Sequence, residues 1–210
     1  MWPELNRLAR GSLIYGIGSV FQRFLGLLLL PFFTRVLSPQ EYGVMALLGL
    51  VTVAVVGLFN LGTGSSMGVL YFEREDIGDR HKVIWSTALL LAANCTVLVA
   101  LLMIAAPYVC LAIFQSAEHA NLLRISLVST AMTVVIEPFY AHLRYQEKAI
   151  KFVILTVIGA VFGASVSVVF VIVLGWGVAG LLLAGLLGQV LTAIMVAASV
   201  ARHLEPGIDK

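Results

Sequence analysis

Long uncharged runs separated by short charged clusters set the pattern of this chain. The first apolar run covers 12–36 and is interrupted by Arg23. No charge occurs from Tyr42 to Phe72, and a crossing is placed there at 42–64. A third run covers 83–106 and stops at Pro107; a fourth, 121–142, contains Arg124, Glu137 and Pro138. The 50 residues from Phe152 to Ala201 carry no charge at all. Since ~20 apolar residues span a bilayer core, this stretch is divided into 152–174 and 178–201. The divider is Gly175-Trp176-Gly177, because glycine tolerates positive φ and tryptophan favours the membrane interface. The runs lack the ~10-residue alternation of a membrane barrel, and a spanning backbone must satisfy its own hydrogen bonds. The pattern therefore predicts an all-α polytopic membrane protein, with six transmembrane helices over 1–210.

Composition agrees with this. Sixty percent of the 210 residues are hydrophobic, 11% are charged, and the mean hydropathy is +1.03. A soluble domain carries about 25% charged residues, so a soluble enzyme, a disordered chain and a nucleic-acid-binding domain are excluded. A net charge of +2 offers no surface for a polyanion. The two cysteines, Cys95 and Cys110, sit inside apolar runs and read as small core residues, not a disulfide framework. The first run is too long for a signal-peptide core, and no A-x-A site closes it. The segment before it, with Trp2, Leu5, Arg7 and Arg10, reads as interfacial.

Charge then fixes an orientation. Arg7, Arg10, Arg74, Arg80, Lys82, Arg144, Lys148, Lys151, Arg202 and Lys210 fall on one side of the six crossings, and these are ten of the 13 basic residues. The positive-inside rule predicts that both termini are cytoplasmic.

Few residues in the spans can carry chemistry. Arg23, beside Gln22, lies near the middle of span one, where a charge costs at least ~2.5–3.5 kcal/mol and normally faces a bundle interior or wet cavity. It is a candidate contact for an anionic group such as phosphate, with Gln22 as its polar neighbour; a structural ion pair is the alternative. Arg124 is a weaker cavity candidate, near enough to a span end to snorkel. Glu137 precedes Pro138 and is a candidate proton-coupling group or gate; the alternative is an ion pair with Arg23, Arg124 or Arg144. Asn60, Asn94 and Gln189 read as interhelical hydrogen bonds. Gly159-Ala160-Val161-Phe162-Gly163 is a small-xxx-small pattern that lets helices approach closely. The mixed-sign cluster Glu73–Lys82 reads as a solvated loop, and the histidines are too scattered for a metal site. No nucleophile elbow, phosphate-binding loop or metal-ligand set is present, so neither a cofactor nor a catalytic residue is expected.

The stretch Phe24–Gly43, with Thr34-Arg35-Val36-Leu37-Ser38-Pro39-Gln40-Glu41-Tyr42-Gly43 after a Gly- and Leu-rich helix, resembles the N-terminal half of polysaccharide biosynthesis proteins. These are the Wzx-type O-antigen flippases of the multidrug/oligosaccharidyl-lipid/polysaccharide exporter superfamily. Asn60-Leu61-Gly62, Leu143-Arg144-Tyr145-Gln146-Glu147-Lys148 and Gly175–Leu181 extend the similarity over most of the chain. The resemblance implies one lobe of a MATE-like, two-lobe transporter. It would move undecaprenyl-diphosphate-linked oligosaccharide across the bacterial inner membrane for O-antigen, lipopolysaccharide, capsule or exopolysaccharide assembly. It implies a non-enzymatic translocase with alternating access and an ion gradient. Its partners would be the lipid-linked substrate, the bilayer and a second lobe or a second copy, with no nucleic acid. Within the motif, Pro39 and Gly43 shape a turn and Ser38 caps the next helix. Other readings are a multidrug exporter of the same superfamily, a membrane-embedded glycan-assembly enzyme, and a non-catalytic scaffold.

Overall fold

The computed structural model describes residues 2–201, with side chains from Leu13 to Ser199. The side chains of the interfacial segment and the basic residues Arg202 and Lys210 lie outside the described residues. Seven helices follow in order: α1 (Trp2–Val36), α2 (Pro39–Asn60), α3 (Thr63–Glu73), α4 (Ile77–Phe114), α5 (Ala120–Tyr145), α6 (Ala149–Val168) and α7 (Gly177–Ala201). A π-helical turn, Val169–Val173, extends α6. Among the described residues there is no strand. Taking α2 with α3 as one broken segment, six segments are long and apolar enough to cross a membrane. The protein is an all-α polytopic membrane protein.

The breaks have local causes. Ser38 and Glu41 form a capping box at the start of α2: the Ser38 hydroxyl accepts from the Glu41 N–H at 3.3 Å, and Glu41 Oε2 accepts from the Ser38 N–H at 2.8 Å. The uncharged stretch 42–72 does not form one straight helix. Leu61 and Gly62 both take the left-handed conformation (φ 48° and 66°), splitting it into α2 and α3. Asn94 of α4 supports that break, its amide donating to the Leu58 and Phe59 carbonyls at 3.1 and 2.9 Å. The Gly175-Trp176-Gly177 turn uses positive φ at both glycines.

One expected boundary is displaced. Pro107 does not end its helix; α4 continues to Phe114 and stops at Gln115, which takes φ 55° and donates to the Leu111 carbonyl. A proline inside a helix removes a single hydrogen bond and frees the carbonyl four residues earlier, here that of Met103. Arg124 Nε donates to that carbonyl at 3.3 Å.

α5 is the central helix, packed against α4, α7, α2 and α6. Its main core unites Leu48, Val55 and Phe59 of α2, Leu91, Cys95 and Cys110 of α4, and Leu123 and Leu127 of α5. Both cysteines are buried and free. α1 rests on α6 and runs parallel to it, as the register Tyr15–Phe152, Gly18–Val153 and Phe33–Val171 shows. Its outer side exposes Leu13, Ile17, Val20, Phe24 and Leu27, as a lipid-facing surface requires.

Candidate functional site: a polar cavity beside helix α5

One face of α5 is polar along its length. Ser126, Ser129, Thr130, Thr133, Glu137, Tyr140 and Arg144 recur at three- and four-residue steps, which places them on one side of a 3.6-residue helix. Several hydroxyls are satisfied locally: Ser126 donates to the Leu122 carbonyl, Thr130 to Ser126 and Thr133 to Ser129. Ser129 instead reaches across to α7 and donates to Gln189 Oε1 at 2.8 Å.

This face opens on a cavity of about 500 Å³ walled by α1, α5, α6 and α7. Gln22 enters it from α1, Thr133 and Tyr140 from α5, Thr156 and Ser167 from α6, and Gln189 and Thr192 from α7. Every polar group in that wall is neutral. The amide hydrogens of Gln22 and Gln189 make no hydrogen bond to a described residue, so both remain available to a ligand. Close helix packing forms the wall opposite α5. Gly159 and Gly163 face Gly188, Thr192 and Ala184, so α6 and α7 meet nearly backbone to backbone. The size falls within the range of small-molecule sites.

At the Tyr140 end, three aromatic rings stack edge to face: Tyr15 on Phe152 at 5.4 Å and Tyr140 on Phe152 at 5.2 Å. The Arg144 guanidinium lies 5.7 Å from the centre of the Phe152 ring and also pairs with Glu137. The pair is 40% and 43% exposed at its two side chains, a rim position and not a sealed one.

The four residues singled out from sequence do not converge. Gln22 lines the cavity. Arg23, one step of about 100° further around α1, stands on the exposed side with Val20 and Leu27 and makes no hydrogen bond or ion pair to a described residue. Glu137 lies at the rim, held by Arg144. Arg124 is at the other end of α5, turned to α4, where it bonds the Met103 carbonyl and Asn121 Oδ1 at 3.0 Å. Arg124 thus compensates for Pro107. Arg124→Met leaves the carbonyl without its donor and is expected to cost about 1–3 kcal/mol of stability, read as a lower unfolding midpoint. Arg124→Lys should recover part of the loss, while Asn121→Ala, which leaves the bond to Met103 intact, should cost less than Arg124→Met.

Sequence reasoning overlooked Thr133, Thr156, Ser167 and Thr192 as cavity residues. The usable signal was their period, since Thr133 shares a helix face with Glu137 and Tyr140, and Thr192 with Gln189 and Gly188.

No curated protein and no solved structure gives a significant match to the chain. A profile of the polysaccharide biosynthesis protein family matches residues 32–210, from the end of α1 through α7, leaving Gln22 and Arg23 before the matched stretch. With most of its length covered, the chain belongs to the polysaccharide biosynthesis protein family.

Proposed function

We propose that the chain moves a lipid-linked oligosaccharide, carried on a polyprenyl diphosphate, from one leaflet to the other during surface-polysaccharide assembly. The observation that supports this reading best is the neutral polar cavity within the bilayer-spanning bundle. Hydroxyl and amide groups suit a polyhydroxylated, uncharged glycan, and Tyr140 adds an aromatic face. A cation exporter needs carboxylates in the cavity. The carboxylate at this rim, Glu137, is already held by Arg144, which favours the glycan. In this reading the protein is a non-enzymatic translocase of the bacterial inner membrane, with both termini cytoplasmic. Glu137 and Arg144 then lie at the cytoplasmic end. Arg23 faces outward, so it reaches a diphosphate only if further protein, a second lobe or a second copy, stands against α1.

The test is translocation of a fluorescent polyprenyl-diphosphate oligosaccharide in proteoliposomes, followed by quenching from one side. Combined Thr133→Val and Gln189→Leu should lower the rate at least about fivefold, the cost of roughly 1 kcal/mol of lost hydrogen bonding. An unchanged rate would exclude this cavity as part of the route.

A further inference from the structure

The face of α5 opposite the cavity holds a feature that transport through the cavity does not use. His142 is 4% exposed, sealed between α3, α4 and α5. Its Nε2 lies 2.8 Å from Gln146 Nε2, and its Nδ1 is buried with no partner among the described residues. The ring meets His81 of α4 edge-on at 5.4 Å and Tyr71 of α3 at 6.0 Å. The titratable and charged groups on this side are Tyr71 from α3, Arg80 and His81 from α4, Tyr145 from α5 and Lys148 just beyond it. Asp76, at the start of α4, faces His81. Arg80 is committed elsewhere, lying 5.3 Å over the Tyr71 ring and donating from Nε to the Arg74 carbonyl at 2.7 Å.

We propose that His142 and His81 form a proton-operated latch on α3. The Gln146 amide nitrogen can only donate, so Nε2 of His142 accepts from it and Nδ1 carries the ring proton. Nε2 can take a proton from hydronium, forming an N–H bond and an imidazolium and leaving water, and the Gln146 contact then sets donor against donor. That cation would be enclosed with Tyr71, His81 and Lys148, and an unpaired buried charge is strongly unfavourable. Moving α3 away admits water and relieves the charge. α3 is suited to that movement. It has 11 residues, packs mainly on α4, and is held by the small cluster of Met67, Tyr71, Ile84 and Ala141. The left-handed pair Leu61–Gly62 separates it from α2 and supplies the hinge. The latch stands independently of the translocated substrate, because none of its residues lines the cavity.

The experiment uses the full chain in lipid nanodiscs with spin labels on Val69→Cys of α3 and Ile154→Cys of α6, both exposed positions. Lowering the pH from about 8 to about 4, past the range of an exposed histidine because an enclosed imidazole takes up its proton less readily, should shift the distance distribution to a longer, broader one. The shift should disappear in His142→Gln and persist in His119→Gln at the far end of α5. Identical distributions at both pH values in the labelled parent, or an undiminished shift in His142→Gln, overturn the proposal. So does loss of the shift in His119→Gln. If His142→Gln does not fold, His81→Gln decides. Replacing the half-buried neighbour should move the transition midpoint by at least about half a pH unit, and an unmoved midpoint rejects the latch.

Discussion

Gly159→Leu is expected to destabilise the protein by the upper part of the ~1–3 kcal/mol range for overpacking, or more, and to abolish the proposed translocation. A Cβ built at Gly159 falls on Thr192 Oγ1 and lies 3.2 Å from both the Gly188 carbonyl oxygen and Thr192 Cβ. Two of those three neighbours are backbone or a side-chain stem, which cannot swing aside. Thr192 Oγ1 is itself fixed, donating to the Gly188 carbonyl at 2.7 Å. α6 and α7 must therefore separate, and Gly159, Gly188 and Thr192 all belong to the cavity wall. The readout is the unfolding midpoint in detergent, with a fall of roughly 5–10 °C for a chain of this size.

Gly163 is the control that makes the argument specific. A Cβ there meets the Ala184 carbonyl oxygen at 3.4 Å and Gly188 Cα at 3.7 Å, ordinary contact distances. Gly163→Ala should be neutral or stabilising, since alanine is favoured over glycine inside a helix by ~0.5–1 kcal/mol. If Gly163→Ala proves as damaging as Gly159→Leu, close α6–α7 approach is not what these glycines provide.

What could be read in the sequence was what depends on composition and short-range pattern. Five apolar runs, the last long enough for two crossings, imposed six spanning segments, because hydrocarbon forbids any other spanning backbone that is not a closed barrel. The Gly175–Gly177 turn and the Ser38 cap were legible because each rests on residues within three positions of one another. Pro107 misled because the helix survives there through a residue 17 positions away: Arg124 satisfies the carbonyl that the proline frees. The candidate site was less legible still. Arg23 drew notice by its charge, yet depth along a helix does not specify direction around it, and Gln22 next to it faces the cavity instead. The hydroxyls of α5, α6 and α7 carry no such flag. Ser and Thr are ordinary in membrane helices, and only the packing of four helices converts them into one wall.

Breaking the Glu137–Arg144 pair should slow the proposed translocation by about tenfold, whichever partner is removed. A tenfold change corresponds to ~1.4 kcal/mol, below the ~2.5–3.5 kcal/mol for a lone charge at mid-membrane, as suits side chains that keep part of their exposure. Arg144→Gln leaves the carboxylate unneutralised at the cavity rim and removes the cation from the Phe152 ring. Glu137→Gln leaves that cation over the ring but without its anion. The charge-swapped protein, Glu137→Arg with Arg144→Glu, separates two explanations. Should the attraction between the charges hold the rim, the swap recovers most of the rate. Recovery should stop within about threefold of wild type, because a guanidinium at 137 no longer stacks where Arg144 did. If the swap is no better than either single change, position 137 needs a carboxylate for its own sake, as a group that takes and releases a proton would. Single variants that translocate at the wild-type rate would show the pair to be inert. The two charges are seven residues apart on one helix, so both arms of this test act within α5 and leave the α6–α7 contact untouched. Defects seen here therefore report on the rim, and those seen at Gly159 on the wall.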